Sequence, residues 1–229
     1  MPKVSEPANI RNLNLIQEQI IRCERCPRLR DYCRSIGQTK RAAYRDWDYW
    51  TRPIPSFGDP RARLVIVGLA PAAHGANRTG RVFTGDRSGD FLFAALYRMQ
   101  YANQPMSTHR DDGLTLTDCY ITISARCAPP DNKPLPDELA NCRSYIQREL
   151  PLLSRARVLL ALGKIAWDAA LVALDAQTRP KFAHGAEAAI GKFTLVGSYH
   201  VSQQNTFTGK LTEAMFDAVL ARCRALSGS

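Results

Sequence analysis

Three polar side chains stand where apolar runs give way to loops: Asp86, Asn132 and His200. A carboxylate can position a water molecule or steady a developing cation, and an amide in a rigid loop can hold that water. A neutral imidazole can donate a hydrogen bond to an oxygen that gains charge in a transition state. Each residue has a plainer reading. Asp86 directly precedes a predicted helix, where aspartate is a favoured cap. A single histidine is more often structural, although Tyr199-His200 followed by Ser202, Gln203, Gln204 and Asn205 does not read as core. His74, His109 and His184 have weaker cases; His74 can contact DNA or cap its loop.

The second chemical feature is cysteine. Cys23 and Cys26 form a C-x-x-C, Cys127 lies in the loop that carries Asn132, and Cys142 follows on the next predicted helix. Folding the N-terminal segment against that loop would gather four thiolates, which suits either zinc or an iron–sulfur cluster. Seven cysteines in a chain with no N-terminal signal stretch argue against a disulfide scaffold. Arg22, Arg25, Arg28, Arg126 and Arg143 lie near these cysteines in sequence and would offset the charge of four thiolates. Cys33, Cys119 and Cys223 read as buried free thiols.

The elements that must position these groups follow from hydrophobic spacing. Apolar runs at residues 64–67, 120–124, 158–162 and 193–197 predict strands. Helical spacing covers 10–21, 28–36, 91–99, 136–150, 165–174 and 211–226. Alternation of strand and helix implies an α/β fold with a mostly parallel sheet covered on both faces. The unusual residues then fall in three loops, 68–86, 126–134 and 199–210, at the carboxyl ends of strands, where open α/β sheets place ligands. The first loop is long and punctuated by Gly68, Gly75, Gly80 and Gly85, which allow close backbone approach to a ligand. Phe83 within it reads as core or as a platform for a flat ligand. Gln203, Gln204, Asn205, Thr206 and Thr208 offer contacts to phosphates or base edges. Residues 40–58, rich in aromatics and prolines, read as an irregular covering segment packed on the sheet edge, although aromatic and basic side chains together can also stack on bases. Residues 101–113 read as a surface loop.

The 229 residues carry 45% hydrophobic residues, enough for a full core, and a net charge of +10, which favours a polyanionic partner such as nucleic acid. No apolar run reaches the length of a membrane span, so the expected location is the cytoplasm, at the nucleoid, with no membrane partner.

The residues of the three loops, in order, resemble the motifs of the uracil-DNA glycosylase superfamily, above all its family 5, a broad-specificity prokaryotic branch with an iron–sulfur cluster. They are the stretch from Gly68 to Asp86, Cys127-Ala-Pro-Pro-Asp-Asn132-Lys-Pro, and His200-Val-Ser-Gln-Gln-Asn-Thr-Phe-Thr-Gly-Lys-Leu-Thr212. The match runs from the C-x-x-C to the last helix. The resemblance implies a single domain over 1–229, its first 60 residues carrying half of the cluster site, and a three-layer α/β/α sandwich on a four-stranded, mostly parallel sheet. It implies a monomer acting on double- or single-stranded DNA, and hydrolysis of the glycosidic bond of uracil and other deaminated bases flipped out of the helix. It implies a [4Fe–4S] cluster on Cys23, Cys26, Cys127 and Cys142. By the same resemblance Asp86 and Asn132 orient the catalytic water, His200 steadies the leaving base, Phe83 stacks on it, and Gly68, Leu69 and Ala70 line its pocket. Ala70 cannot activate water, a departure from much of the superfamily and typical of family 5. Val201 and Gln203-Gln204 replace the prolines and apolar wedge of other families, leaving Gln204 as the expected filler of the vacated helix space. Two other classes compete: a non-catalytic iron–sulfur or zinc DNA-binding module, and a nucleotide-binding enzyme using the glycine-rich loop as a phosphate cradle. The loop lacks the G-x-x-x-x-G-K-[ST] pattern the latter needs.

Overall fold

Five-residue segments that are apolar on both faces can be satisfied only between two layers of helices. That is how the chain folds in the computed structural model, which describes residues 7–228. The elements are, in order, α1 (Ala8–Ile21), α2 (Pro27–Thr39), β1 (Phe57–Gly58), β2 (Leu64–Gly68), α3 (Ala76–Thr79), α4 (Arg87–Arg98), β3 (Cys119–Ile123), α5 (Pro136–Leu152), β4 (Val158–Leu162), α6 (Lys164–Ala173), β5 (Glu187–Ile190), β6 (Phe193–Ser198), α7 (Gln203–Phe207) and α8 (Glu213–Ser227). The strand order is β1-β3-β2-β4-β6-β5. The inner four strands are parallel, with registers such as Ile66 opposite Ile121 and Leu160, and Leu160 opposite Val196.

Successive strand residues alternate between two cores. Leu64, Ile66, Ile121 and Leu160 pack with Leu92 and Phe93 of α4 and Phe216 and Leu220 of α8. Val65, Val67, Leu159 and Leu195 pack with Leu13 of α1, Ile146 of α5 and Trp167 of α6. The expected α/β/α sandwich is therefore present, but the sheet has six strands rather than four. The two additional strands are antiparallel edges, β1 on β3 and β5 on β6. β1 is two residues long, and β5, Glu-Ala-Ala-Ile, is largely exposed, so neither offers an apolar run to read. Among the described residues no helix is long and apolar enough to cross a membrane.

One ion pair fastens several elements beneath the sheet. Arg126 and Glu149, each with a side chain 1% exposed, meet at 2.7 Å. Glu149 also accepts from Thr122 of β3, from Ser56 and from Gln17 of α1, and Arg126 donates to Ser56 and Thr122. Two buried charges are tolerable when most of their remaining hydrogen-bond capacity is met in this way, and of Arg126 only Nε is left over.

The covering segment reaches the sheet edge as expected, ending in β1, and its first half lies on the glycine-rich loop. Tyr44 and Trp47 sit 3.9 and 4.0 Å from the Arg78 guanidinium, Trp50 packs against Gly80, and the Tyr49 hydroxyl bonds His74 Nδ1 at 2.9 Å. A guanidinium is weakly hydrated and flat, so it stacks well on these rings.

Candidate active site and cysteine centre

Ser124 donates to the Gly68 carbonyl through its amide and its hydroxyl, both at 2.9 Å, and the Ala125 amide donates to Leu69 at 2.8 Å. The loop 68–86 is thus anchored to the end of β3 at its first two residues. Phe83, with a positive φ of 50°, turns its ring over Gly68. A Cβ at Gly68 would lie 2.8 Å from Phe83 Cζ, so only glycine fits beneath the ring. The Phe83 ring neighbours His200, with centroids 6.5 Å apart and planes inclined by 36°. His200 rests in turn on Gly163, where a Cβ would come within 3.3 Å of its own. Asn205 Nδ2 donates to the His200 carbonyl at 2.8 Å and fixes the main chain there. Gly68, Gly163 and His200 follow or end β2, β4 and β6, three adjacent parallel strands, so the sheet itself sets their spacing. Burial holds the His200 imidazole down to about 4, so the ring is neutral at physiological pH and can donate one hydrogen bond without carrying charge.

Asp86 takes up the plainer of its two sequence readings. It is the N-cap of α4: Oδ1 accepts from the Gly89 amide at 3.0 Å. Oδ2 lies over Gly75, in space that any side chain there would fill. Burial raises the carboxyl above its usual range, while the Gly89 and Ser88 amides at the helix start favour the ionised form. The loop's two arginines turn inward. Arg78 donates to the carbonyls of His74 and Gly85. Arg81 grips Asp112 at 2.7 and 2.8 Å and Ser107 at 2.8 Å. These contacts hold the Asp112 carboxyl at about 2 against its own burial. Residues 101–113 are accordingly not all surface: Tyr101 and Ser107 are buried, and Asp112 is a clamp for the glycine-rich loop.

Asn132 is exposed and closes a single 3-10 turn, Pro130–Asn132, that follows β3. It and Asp131 have positive φ, 57° and 53°, a conformation these short polar residues tolerate well. This loop leaves the same edge of the sheet as residues 68–86. In the third loop Ser202 caps α7, Gln203 and Gln204 are exposed, and the Thr208 hydroxyl donates back to the Gln204 carbonyl at 2.7 Å. Asn205 has its amide committed to His200 rather than offered outward. Phe207, also on α7, is 70% exposed.

Cys23, Cys26, Cys127 and Cys142 line one small cavity, together with Arg25, Arg30, Arg126 and Asn141. Of the five arginines expected near them, Arg25 and Arg126 line it. Arg28 is committed to Glu138, at 2.8 and 2.9 Å. Arg30, not singled out by sequence, lines it too. Among the described residues no three cysteine, histidine or acidic side chains converge closely enough for a single metal ion. A cubane cluster asks for something wider, because its thiolates bind four different irons. Burial pushes the Cys142 thiol up to about 12 and also raises Cys26, so both need a strongly charged centre to ionise. The donor set suits a thiolate-bound centre, either zinc or an iron–sulfur cluster. Cys33, Cys119 and Cys223 are fully buried free thiols, as expected.

Comparison with known proteins bears on this geometry. The uracil DNA glycosylase superfamily model matches residues 55–224. A type-5 uracil-DNA glycosylase of Mycobacterium leprae is 46% identical over 217 residues, 93% of this chain and 95% of that one. A type-5 uracil-DNA glycosylase of Thermus thermophilus is 48% identical over 209 residues, 90% of this chain and 94% of that one. A type-4 uracil-DNA glycosylase of Archaeoglobus fulgidus is 28% identical over 156 residues.

The chain belongs to the uracil-DNA glycosylase superfamily.

These two type-5 relatives match along nearly their whole length, and the type-4 relative along about two thirds of this chain. Within that family frame, the structure brings Gly68, Phe83 and His200 into one contact chain and leaves Asn132 exposed on the neighbouring loop. Sequence reading missed Gly163, the pairing of Gly75 with Asp86 and the inward role of Asn205. A glycine directly after a strand signals the first; the other two become visible only once the loops are packed.

Proposed function

We propose that this chain is a DNA repair glycosylase that hydrolyses the N-glycosidic bond of uracil flipped out of DNA, with room for other deaminated or damaged bases. The observation that carries the reading is the Phe83 ring between Gly68 and a neutral His200 at the carboxyl edge of the parallel sheet, with type-5 relatives over about nine tenths of the chain. In this reading the extruded base lies on Phe83, in a pocket walled by Gly68, Leu69 and Ala70, and His200 donates to its carbonyl oxygen as the bond breaks. Asp86 and Asn132 hold the attacking water, Asp86 also facing the positive charge that develops on the sugar. Small residues at Ala70 and Ala72 leave space for hypoxanthine, xanthine or etheno adducts.

DNA enters across the third loop. Gln203, Gln204 and the Thr208 region meet the backbone or base edges, with Asn205 acting through His200. Gln204 is exposed, but Phe207 is the stronger candidate to fill the gap left by the flipped base. It presents an apolar ring to solvent a few residues from His200, where an apolar wedge between base steps gains stacking. The net charge of +10 supports phosphate contact on double- or single-stranded DNA, by a monomer in the cytoplasm at the nucleoid.

Cys23, Cys26, Cys127 and Cys142 would hold the [4Fe–4S] cluster. The cluster supplies a cross-link between the N-terminal helices and the Asn132 loop rather than a step of the hydrolysis. Protein residues connect this centre to the active-site loop. Arg30 donates to the Thr51 carbonyl at 2.7 Å, and Thr51 pairs with Asn77 of α3. The deciding experiment is excision from a panel of duplexes carrying uracil, hypoxanthine, xanthine or an etheno base in one context. Uracil release supports the reading, and failure on every lesion leaves a non-catalytic DNA-binding module.

A further inference from the structure

Two hydrogen-bond donors of the cysteine cavity have no part in the hydrolysis. Asn141 Nδ2 donates to Cys26 Sγ at 3.5 Å. Asn141 is exposed on α5, and the chain there is gripped by Arg25, which donates to the Asn141 carbonyl at 3.1 Å and to Ser144 Oγ at 2.9 Å. The other donor is Arg126. Its two terminal nitrogens are committed to Ser56, Thr122 and Glu149. Arg126 lines the same cavity, and its buried Nε has no partner. A buried, unpaired N–H is costly unless an acceptor meets it, and thiolate or sulfide sulfur is an acceptor.

We propose that Asn141 and Arg126 are positioning residues for the four-cysteine centre, the Asn141 amide donating to the Cys26 sulfur and Arg126 Nε to another sulfur of the bound cluster. Hydrogen bonds to sulfur withdraw electron density, raise the reduction potential and shield the thiolate from oxidants. Asn141 is thereby the residue that tunes the cluster from the solvent side, and Arg126 ties it to the ion pair beneath the sheet. This inference rests on the proposal that the four cysteines carry a [4Fe–4S] cluster.

Protein purified without oxygen is analysed for iron and sulfide, then compared with Asn141→Leu by voltammetry and by the rate of bleaching in air. Asn141 is exposed, so the variant should fold. The expected result is equal iron content, a lower reduction potential and faster bleaching in the variant. Equal potentials and equal bleaching rates overturn the role of Asn141, whereas wild-type protein without iron overturns the cluster assignment itself. For Arg126, whose replacement would disturb folding, wild-type protein labelled with 15N in its arginine side chains is reduced and examined by pulsed electron paramagnetic resonance. A nitrogen coupling that persists in Arg25→Lys and Arg30→Lys supports the Nε bond. Its absence, or its loss in either variant, overturns it.

Discussion

Oδ2 of Asp86 occupies the space in which a side chain on Gly75 would have to sit. The three atoms that a Cβ on Gly75 would meet first are Oδ2, Cγ and Cβ of Asp86. Gly75→Ala should therefore displace Asp86 and reproduce much of Asp86→Ala. Asp86→Ala and Asn132→Ala are each expected to bind uracil-containing DNA while excising it about 10²–10³-fold more slowly, the usual cost of one well-placed polar group. Single-turnover excision with a parallel binding assay checks this; wild-type rates in both alanine variants would remove the two residues from the chemistry.

His200 titrates at about 4 in the folded chain against 6.5 as its ordinary value. Between these values the unfolded chain binds a proton that the folded chain does not. The group therefore lowers stability as pH falls from 6.5 towards 4 and costs nothing above 6.5. By the same shift, the ring stays neutral across that window. His200→Gln should slow excision about 10²–10³-fold without moving a loss of rate between pH 5 and 7. A pH profile of kcat/KM whose acid limb shifts on this substitution would show that His200 works as the cation.

Phe207→Ala should slow release of paired uracil more than release of uracil from single-stranded DNA, because only the duplex has a stack to be re-entered. A fluorescent base analogue next to the lesion reports the flipping step directly. Equal losses on both substrates would return the gap-filling role to Gln204.

Cys142→Ser removes one of four thiolates from a buried cavity. The expected product is a protein that has lost most of its iron, its visible absorbance and its thermal stability, as does wild-type protein stripped by chelator. Full iron retention would mean that a cysteine outside the set of four, such as Cys33, which packs with Cys26 and Cys127, takes its place.

Glu149→Ala leaves Arg126 buried without its carboxylate. The destabilisation should be about 3–5 kcal/mol, read as a fall in denaturant midpoint, and Glu149→Gln should recover part of it through the hydrogen bonds to Thr122 and Ser56.

The sequence by itself determined the layers and the edge at which chemistry sits. Fully apolar five-residue runs such as 158–162, too short for a helix and closed by Gly163, read as inner strands, and alternation with helices makes them parallel, so the loops carrying Asp86, Asn132 and His200 share one edge. The four cysteines were legible by spacing and resemblance, and they line one cavity. The edge strands were not legible, because β1 and β5 owe their existence to neighbours already in place rather than to an apolar period. Nor was the direction of any polar side chain. Arg78 and Arg81 stand in the glycine-rich loop just as Asp86 does, yet both face inward, and Asn205 spends its amide on His200. Which way a polar group points depends on the acceptors that surround it, and those acceptors come from Asp112, Gly85 and the His200 main chain, brought near only by packing. Tertiary structure also decided that Gly68, Gly75 and Gly163 are empty space reserved for Phe83, Asp86 and His200.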